Sequence, residues 1–177
     1  MSWKLDHAHT KVGFAVRHMM ISKVRGNFTK FDADIDIDPN NLADSKVRAT
    51  IDASSIDTNN IDRDAHLRSA DFFNADEHPT LEFESTKFRS HDDGKVEIDG
   101  NLTIRGTTRP ITLTGEQLGP AQNPFDGSRS VGYNLRAELD REAFGLQWNQ
   151  ALETGGFLVG KKVTIEIDAE AVEQADA

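Results

Sequence analysis

The chain has 177 residues, enough for one hydrophobic core of ordinary size, and its 37% hydrophobic and 28% charged residues are those of a folded, non-fibrous protein. It has no cysteine, which excludes disulfides, thiolate catalysis and zinc–thiolate sites. Thirty acidic against 20 basic residues leave a net charge of -10, which argues against nonspecific nucleic-acid binding and against docking on anionic lipid through a polybasic segment, while leaving room for a local basic pocket. The N-terminus, MSWKLDHAHT, lacks the apolar region and cleavage site of a secretion signal, so the expected location is cytoplasmic. The stretch at 12–21, VGFAVRHMMI, is interrupted by Arg17 and His18 and is too short to span a bilayer.

From the N-terminus onward the dominant pattern has period two. Val12, Phe14, Val16 and His18 share one parity; Ala33, Ile35 and Ile37 alternate with Asp34, Asp36 and Asp38; Val47, Ala49, Ile51 and Ala53 follow. Residues 58–70 carry the best helical signal, with Asn59 or Asn60 as cap and Asp62 and Asp64 at the positive end of the helix dipole. Alternation resumes at Leu81 and Phe83, then at Val96, Ile98, Gly100, Leu102 and Ile104. It continues at Ile111 and Leu113, and at Val131, Tyr133, Leu135, Ala137 and Leu139. REAF at 141–144 suits one helical turn before Gly145. Val163, Ile165, Ile167 and Ala169 form the last run, and the tail AEAVEQADA is expected to fray.

Each run reads as an antiparallel strand with one apolar face, about eight in all. Asp93-Gly94 is the stronger hairpin signal and Arg105-Gly106 the weaker; Asp38 to Asn41 is a further turn, and Gly119 to Ser128 a longer loop. No linker, low-complexity segment or internal repeat divides the chain, so the expectation is one all-β domain over residues 1–177. Long strands with meander-like neighbours favour an up-and-down barrel over a sandwich. Such a barrel is either filled by side chains or holds one small ligand, and parity does not choose between these interiors.

Four groups of residues are candidates for chemistry. In DRDAHLRSADFF (62–73), Asp64 and His66 are an acid/base pair and Arg63 or Arg68 an anion site, or else the stretch is a capped helix that drops Phe72 and Phe73 into the end of the barrel. HAH at 7–9 places two imidazoles on one strand face, but no third metal ligand follows from the spacing, and no metal is expected. His18 shares the inward parity, as a satisfied core histidine or as a polar group at a cavity mouth. Ten Phe against one Tyr and two Trp suit either a filled core or a lipophilic pocket, which the adaptable side chains of Met19 and Met20 could extend.

Several of these segments belong together. WKLDHAHTKVGFAVRHMMISKVRGNF (3–28), SSIDTNNIDRDAHLRSADFFNADEHPTLEFEST (54–86), GNLTIRGTTRPITL (100–113) and LDREAFGL (139–146) occur in this order over nearly the whole chain. In this combination the sequence resembles the YceI-like family, the polyisoprenoid-binding, lipocalin-like proteins of bacteria. The resemblance implies an extended, eight-stranded antiparallel barrel with a short connecting helix around 58–70 and a deep apolar tunnel. The implied ligand is a long isoprenoid, such as a polyprenyl pyrophosphate or a quinone tail. No catalytic residue and no cofactor is implied, and a homodimer is compatible with this kind of barrel.

Together, parity and resemblance nominate a tail-lining set: Val12, Phe14, Val16, Met19, Met20, Phe28, Phe31, Ile35, Phe72, Phe73, Phe83, Leu102, Ile104, Leu113, Leu135, Phe144 and Phe157. Head-group candidates are His18, Lys23, Arg25, Arg63, His66 and Arg68; parity points Arg17 outward. The competing readings are a filled barrel that acts through its surface, and an acid/base enzyme using His18 or the Asp64/His66 pair on a lipophilic substrate.

Overall fold

The computed structural model describes residues 2–153 and 155–175. Its strands are β1 (Ser2–Leu5), β2 (Lys11–His18), β3 (Ser22–Phe28), β4 (Phe31–Asp36), β5 (Lys46–Asp52), β6 (Ile56–Asp57), β7 (Thr80–Ser90), β8 (Lys95–Ile104), β9 (Thr107–Gln122), β10 (Arg129–Asp140) and β11 (Val159–Gln174), with one α-helix, α1 (Ile61–Arg68). Every ladder is antiparallel, in the order β4-β5-β7-β8-β9-β10-β11-β2-β3-β6. β1 pairs with the last residues of β11, beyond the stretch that β2 occupies.

The sheet curls into a half-barrel. Its two edges meet at a seam without a ladder between them among the described residues. β4 lies beside β1. His7 Nε2 contacts Phe31 O at 3.0 Å, with its ring stacked on Phe31. The segment after α1 packs Phe73 edge-on against Phe28, with ring centroids 5.8 Å apart. The lipocalin-like, antiparallel architecture is the one expected, but the described residues form eleven strands rather than eight. β1 and β6 are only four and two residues long, too short to show a period. β3, SKVRGNF, hides its alternation because its inward positions are Val24, Gly26 and Phe28. A Cβ on Gly26 would lie 2.6 Å from the ring of Phe14, so this position is kept bare to make room for an aromatic.

Local signals account for most boundaries. Asn60 caps α1 by accepting from Arg63 N at 3.0 Å, and the helix is shorter than the 58–70 expected because Ser69 caps it at the other end, its N–H donating to His66 O at 3.1 Å. Arg105-Gly106 forms the two-residue β8–β9 hairpin, both with positive φ, whereas Asp93-Gly94 belongs to a longer connection. The hairpin ranking from sequence is therefore reversed. Arg141–Phe144 is the expected single turn, ended by Gly145 at φ 85. The tail is paired over residues 169–174: Ala169–Val172 pair with β10 and Ala171–Gln174 with β1.

Candidate functional site

The inner face of the curled sheet surrounds a cavity of about 260 Å³. By the same measure one water needs only ~10–15 Å³, so the space is far larger than a packing defect. Its wall is built by alternation. Val12, Phe14 and Val16 of β2, Ile35 of β4, Val47, Ala49 and Ile51 of β5, and Val163, Ile165 and Ile167 of β11 all point inward. Leu102 and Ile104 of β8, Leu113 of β9, and Leu135 and Leu139 of β10 complete the opposite side. The residues on β2, β4, β5 and β11 remain half-exposed although they face the interior. The space they look into is the cavity, so the interior is open rather than filled.

The surface this wall presents is apolar throughout. Five side chains with polar groups contribute to the lining, Thr10, Asp32, Tyr133, Glu170 and Arg141, but their polar atoms do not face the cavity. Thr10 Oγ1 accepts from Glu170 N at 3.1 Å. Arg141 is almost completely buried and donates Nε to Gly160 O (2.7 Å), Nη1 to Leu146 O (2.6 Å) and Trp148 O (3.0 Å), and Nη2 to Val159 O (3.2 Å). Burial lowers its pKa from the ordinary guanidinium value without discharging it. Arg141 is thus a bolt: one planar cation ties two carbonyls of the β10–β11 connection, Leu146 and Trp148, to two at the start of β11, Val159 and Gly160. Its guanidinium also lies 6.0 Å from the Phe72 ring centroid.

Most residues of the tail-lining set lie on this wall: Val12, Phe14, Val16, Phe28, Phe31, Ile35, Phe72, Phe73, Phe83, Leu102, Ile104, Leu113 and Leu135. Four do not. Met19 and Met20 occupy the β2–β3 turn, where the strand period ends, and are 42% and 66% exposed. Phe157 is exposed on the loop before β11. Phe144 is buried, but in the turn after β10 and outside the wall. The set omits Val47, Ala49, Ile51, Val163, Ile165 and Ile167, although their alternation is as clear as that of β2. Arg141 carried no periodic signal at all.

None of the six head-group candidates lines the cavity. Lys23 and Arg25 are on the outer face of β3, Arg25 3.8 Å from Glu166. His18 is half-buried at the end of β2, opposite Ser22 and Val159. Arg63 donates to Thr58 Oγ1 and Thr58 O, both at 2.7 Å, and buried Asp64 accepts from Thr58 N at 2.8 Å. His66 pairs with Asp71 (2.9 Å) and sets its ring edge-on to Phe72 and Trp148. Asp64 and His66 therefore do not form the acid/base pair considered from sequence: each is bound to a different partner. Arg68 is half-buried at the end of α1.

The HAH segment is a 3-10 turn, not a strand, so its imidazoles diverge: His7 bonds across the seam, and His9 Nδ1 pairs with Asp6 Oδ2 at 2.8 Å. This bond raises the pKa of His9 and lowers that of Asp6. No helix among the described residues is long and apolar enough to cross a membrane.

A curled antiparallel sheet around an apolar cavity, with its polar groups turned away or satisfied by backbone, defines a lipocalin-like barrel protein. The YceI-like domain matches residues 3–171, and the chain belongs to the YceI-like family. A relative, the UPF0312 protein of Staphylococcus aureus (strain bovine RF122 / ET3-1), is 42% identical, with 96% of each chain covered. The crystal structure of the Campylobacter jejuni YceI protein superposes with a TM-score of 0.77 at 35% identity, covering 99% of both chains. A polyisoprenoid-binding domain from Saccharophagus degradans shares the fold, with a TM-score of 0.70 at 12% identity, covering 97% of this chain and 98% of that one.

Proposed function

We propose that the protein binds a long-chain isoprenoid lipid and carries or sequesters it with the tail in the cavity. The observation that supports this most is the wall itself: a space of about 260 Å³ that shows no polar surface. Such a cavity repels water and rewards hydrocarbon. Each buried CH₂ contributes about 0.8 kcal/mol, so a five-carbon unit contributes at most about 4 kcal/mol, part of which is returned in ordering the tail.

The same wall bears on the head group. A phosphate or quinone oxygen moved onto it without a hydrogen bond would cost roughly 2–7 kcal/mol, and more if charged. The head therefore stays outside the apolar wall, and affinity follows tail length more than head chemistry. The polyisoprenoid-binding neighbour supports the isoprenoid class; polyprenyl pyrophosphates and isoprenoid quinones both fit it.

Native mass spectrometry of freshly purified protein, followed by extraction and mass analysis of the lipid, tests the reading. The expected result is an adduct with an isoprene-repeat mass. Competition between lipids then separates tail from head: removing one isoprene unit should weaken binding more than exchanging one head for another. A bare protein that also takes up no added prenyl lipid overturns the proposal.

A further inference from the structure

We propose that the tip of the β2–β3 hairpin, Met19–Ile21 together with Phe157, docks on a lipid bilayer that carries anionic headgroups. This rests on the carrier reading above, and it concerns how cargo reaches the barrel rather than how it is held.

Three observations converge on the tip. First, it is apolar and uncovered: Met20, Ile21 and Phe157 are 66%, 79% and 51% exposed. They form one patch, because Met19 N donates to Leu158 O at 2.8 Å and the Met20 thioether lies against Gly156, where a Cβ would come within 2.3 Å of Sδ. Second, the turn chemistry is unusual. Met19 and Met20 both have positive φ, at 52° and 62°, positions that Gly, Asn or Asp occupy at least cost. Two long apolar side chains held there serve something other than the turn.

Third, the charge around the tip opposes that of the molecule. Residues 7–31 contain no acidic residue, in a chain of net charge -10, and the cations of that interval nearest the turn are Arg17 and Lys23; Lys11 and Lys30 lie at the far ends of the two strands, and Arg25 faces Glu166. Arg17 and Lys23 face each other across the ladder one step below the turn. Both are exposed, and neither has an ion pair among the described residues. Apolar side chains at a tip with cations just behind them match the layering of a bilayer surface, acyl chains under anionic headgroups. A second copy of the chain fits less well, because a two-fold contact would set Arg17 and Lys23 against their own counterparts.

The hairpin also has the right neighbours. Val12, Phe14 and Val16 on its inner face belong to the half-exposed side of the cavity wall. A bilayer bound at the tip is thus held beside the looser part of the barrel.

Co-sedimentation with phosphatidylcholine vesicles, with and without phosphatidylglycerol, tests the proposal. The wild-type protein should bind phosphatidylglycerol-containing vesicles, bind pure phosphatidylcholine weakly, and lose binding as salt rises. Ile21→Asp should reduce binding by more than about tenfold, and Arg17→Glu with Lys23→Glu by a similar factor, given about fivefold per surface cation. Phe125→Asp, an exposed apolar residue on the β9–β10 connection, should change nothing. The substituted positions are exposed, and a thermal melt of each variant checks the fold; the charge pair is an independent variant should the tip substitution disturb the turn.

Uptake of a short prenyl alcohol from solution, followed by native mass spectrometry, is measured on the same proteins. Uptake retained by all variants while vesicle binding falls supports docking as a separate function. No vesicle binding by a wild-type protein that takes up the alcohol overturns the docking proposal alone; no uptake by the wild type overturns the carrier reading. A tip variant that changes oligomeric state while vesicle binding is absent assigns the patch to self-association and overturns it too.

Discussion

The two sides of the cavity have the same chemistry and opposite packing. On the central strands β7 to β10, inward residues such as Phe88, Val96, Ile98, Leu113 and Val131 are buried to core density. On the strands that flank the seam, Val12, Val16, Ile35, Val47 and Ile165 also point inward but stay half-exposed. Both sides alternate with polar outward residues, and both are rich in Val, Ile and Leu. What differs is what each meets across the barrel. Phe88, Ile98 and Leu113 also touch the cavity, yet neighbouring side chains enclose them almost completely, and Val96 and Val131 lie outside the lining altogether. The seam-flanking strands face space. Alternation therefore reports which way a side chain points, and only the closure of the sheet decides whether anything lies there to touch it.

The contrast can be pressed hardest on the dense side. Phe88→Ala should cost about 3–5 kcal/mol in urea unfolding, the range for an almost fully buried aromatic. A loss under half of that would mean that the dense side is looser than its burial indicates.

Tyr133 lies where the cavity meets the dense side, its hydroxyl donating to Gln117 Oε1 at 3.0 Å. Burial pushes its pKa up to about 12 from an ordinary 10.0. The folded value is the higher one, so the associated stability is full below pH 10 and is lost as pH rises through about 12. The loss is roughly 2–3 kcal/mol at most. As the chain has one tyrosine, phenolate absorbance reads this site alone. Ionisation near pH 10 in the folded protein would show that water reaches the residue.

On the open side the same kind of truncation should matter less. Ile165→Ala is expected to cost about 1–2 kcal/mol, because the side chain already lacks partners toward the cavity. Equal losses for Ile165→Ala and for Ile98→Ala on the dense side would erase the contrast. The smallest stability effect belongs to Ala49→Phe. Added bulk has room here, so stability should move by less than about 1 kcal/mol, while lipid uptake measured by native mass spectrometry should fall sharply. Undiminished uptake would place the tail elsewhere.

Legibility in the sequence did not follow this division. The seven-residue alternation of β2 and the longer runs of β8, β10 and β11 were plain in the sequence, as were the Asn60 cap and the turn before Gly145. β3 was not, because an inward glycine interrupts its period. Met19 and Met20 read as wall residues because they follow an inward run, whereas the turn releases them to solvent. Arg63, Asp64 and His66 read as a chemical cluster because they are adjacent in sequence. In three dimensions Arg63 and Asp64 both hold Thr58, and His66 turns to Asp71. Asp64 and His66, two apart on a helix, face different sides, and local sequence does not reveal which partner each side meets.

By itself the sequence determined an all-β chain with apolar and wet faces, the family it resembles, and the residues able to point inward, because period two is a property of each strand's own backbone. The tertiary structure alone decided that the interior is open, that its looser wall flanks the seam, and that Arg141 ties the β10–β11 loop to the start of β11 through four carbonyls. These depend on how far the sheet curls and on which distant segments meet when it does, and that geometry arises from the whole set of ladders rather than from any one strand.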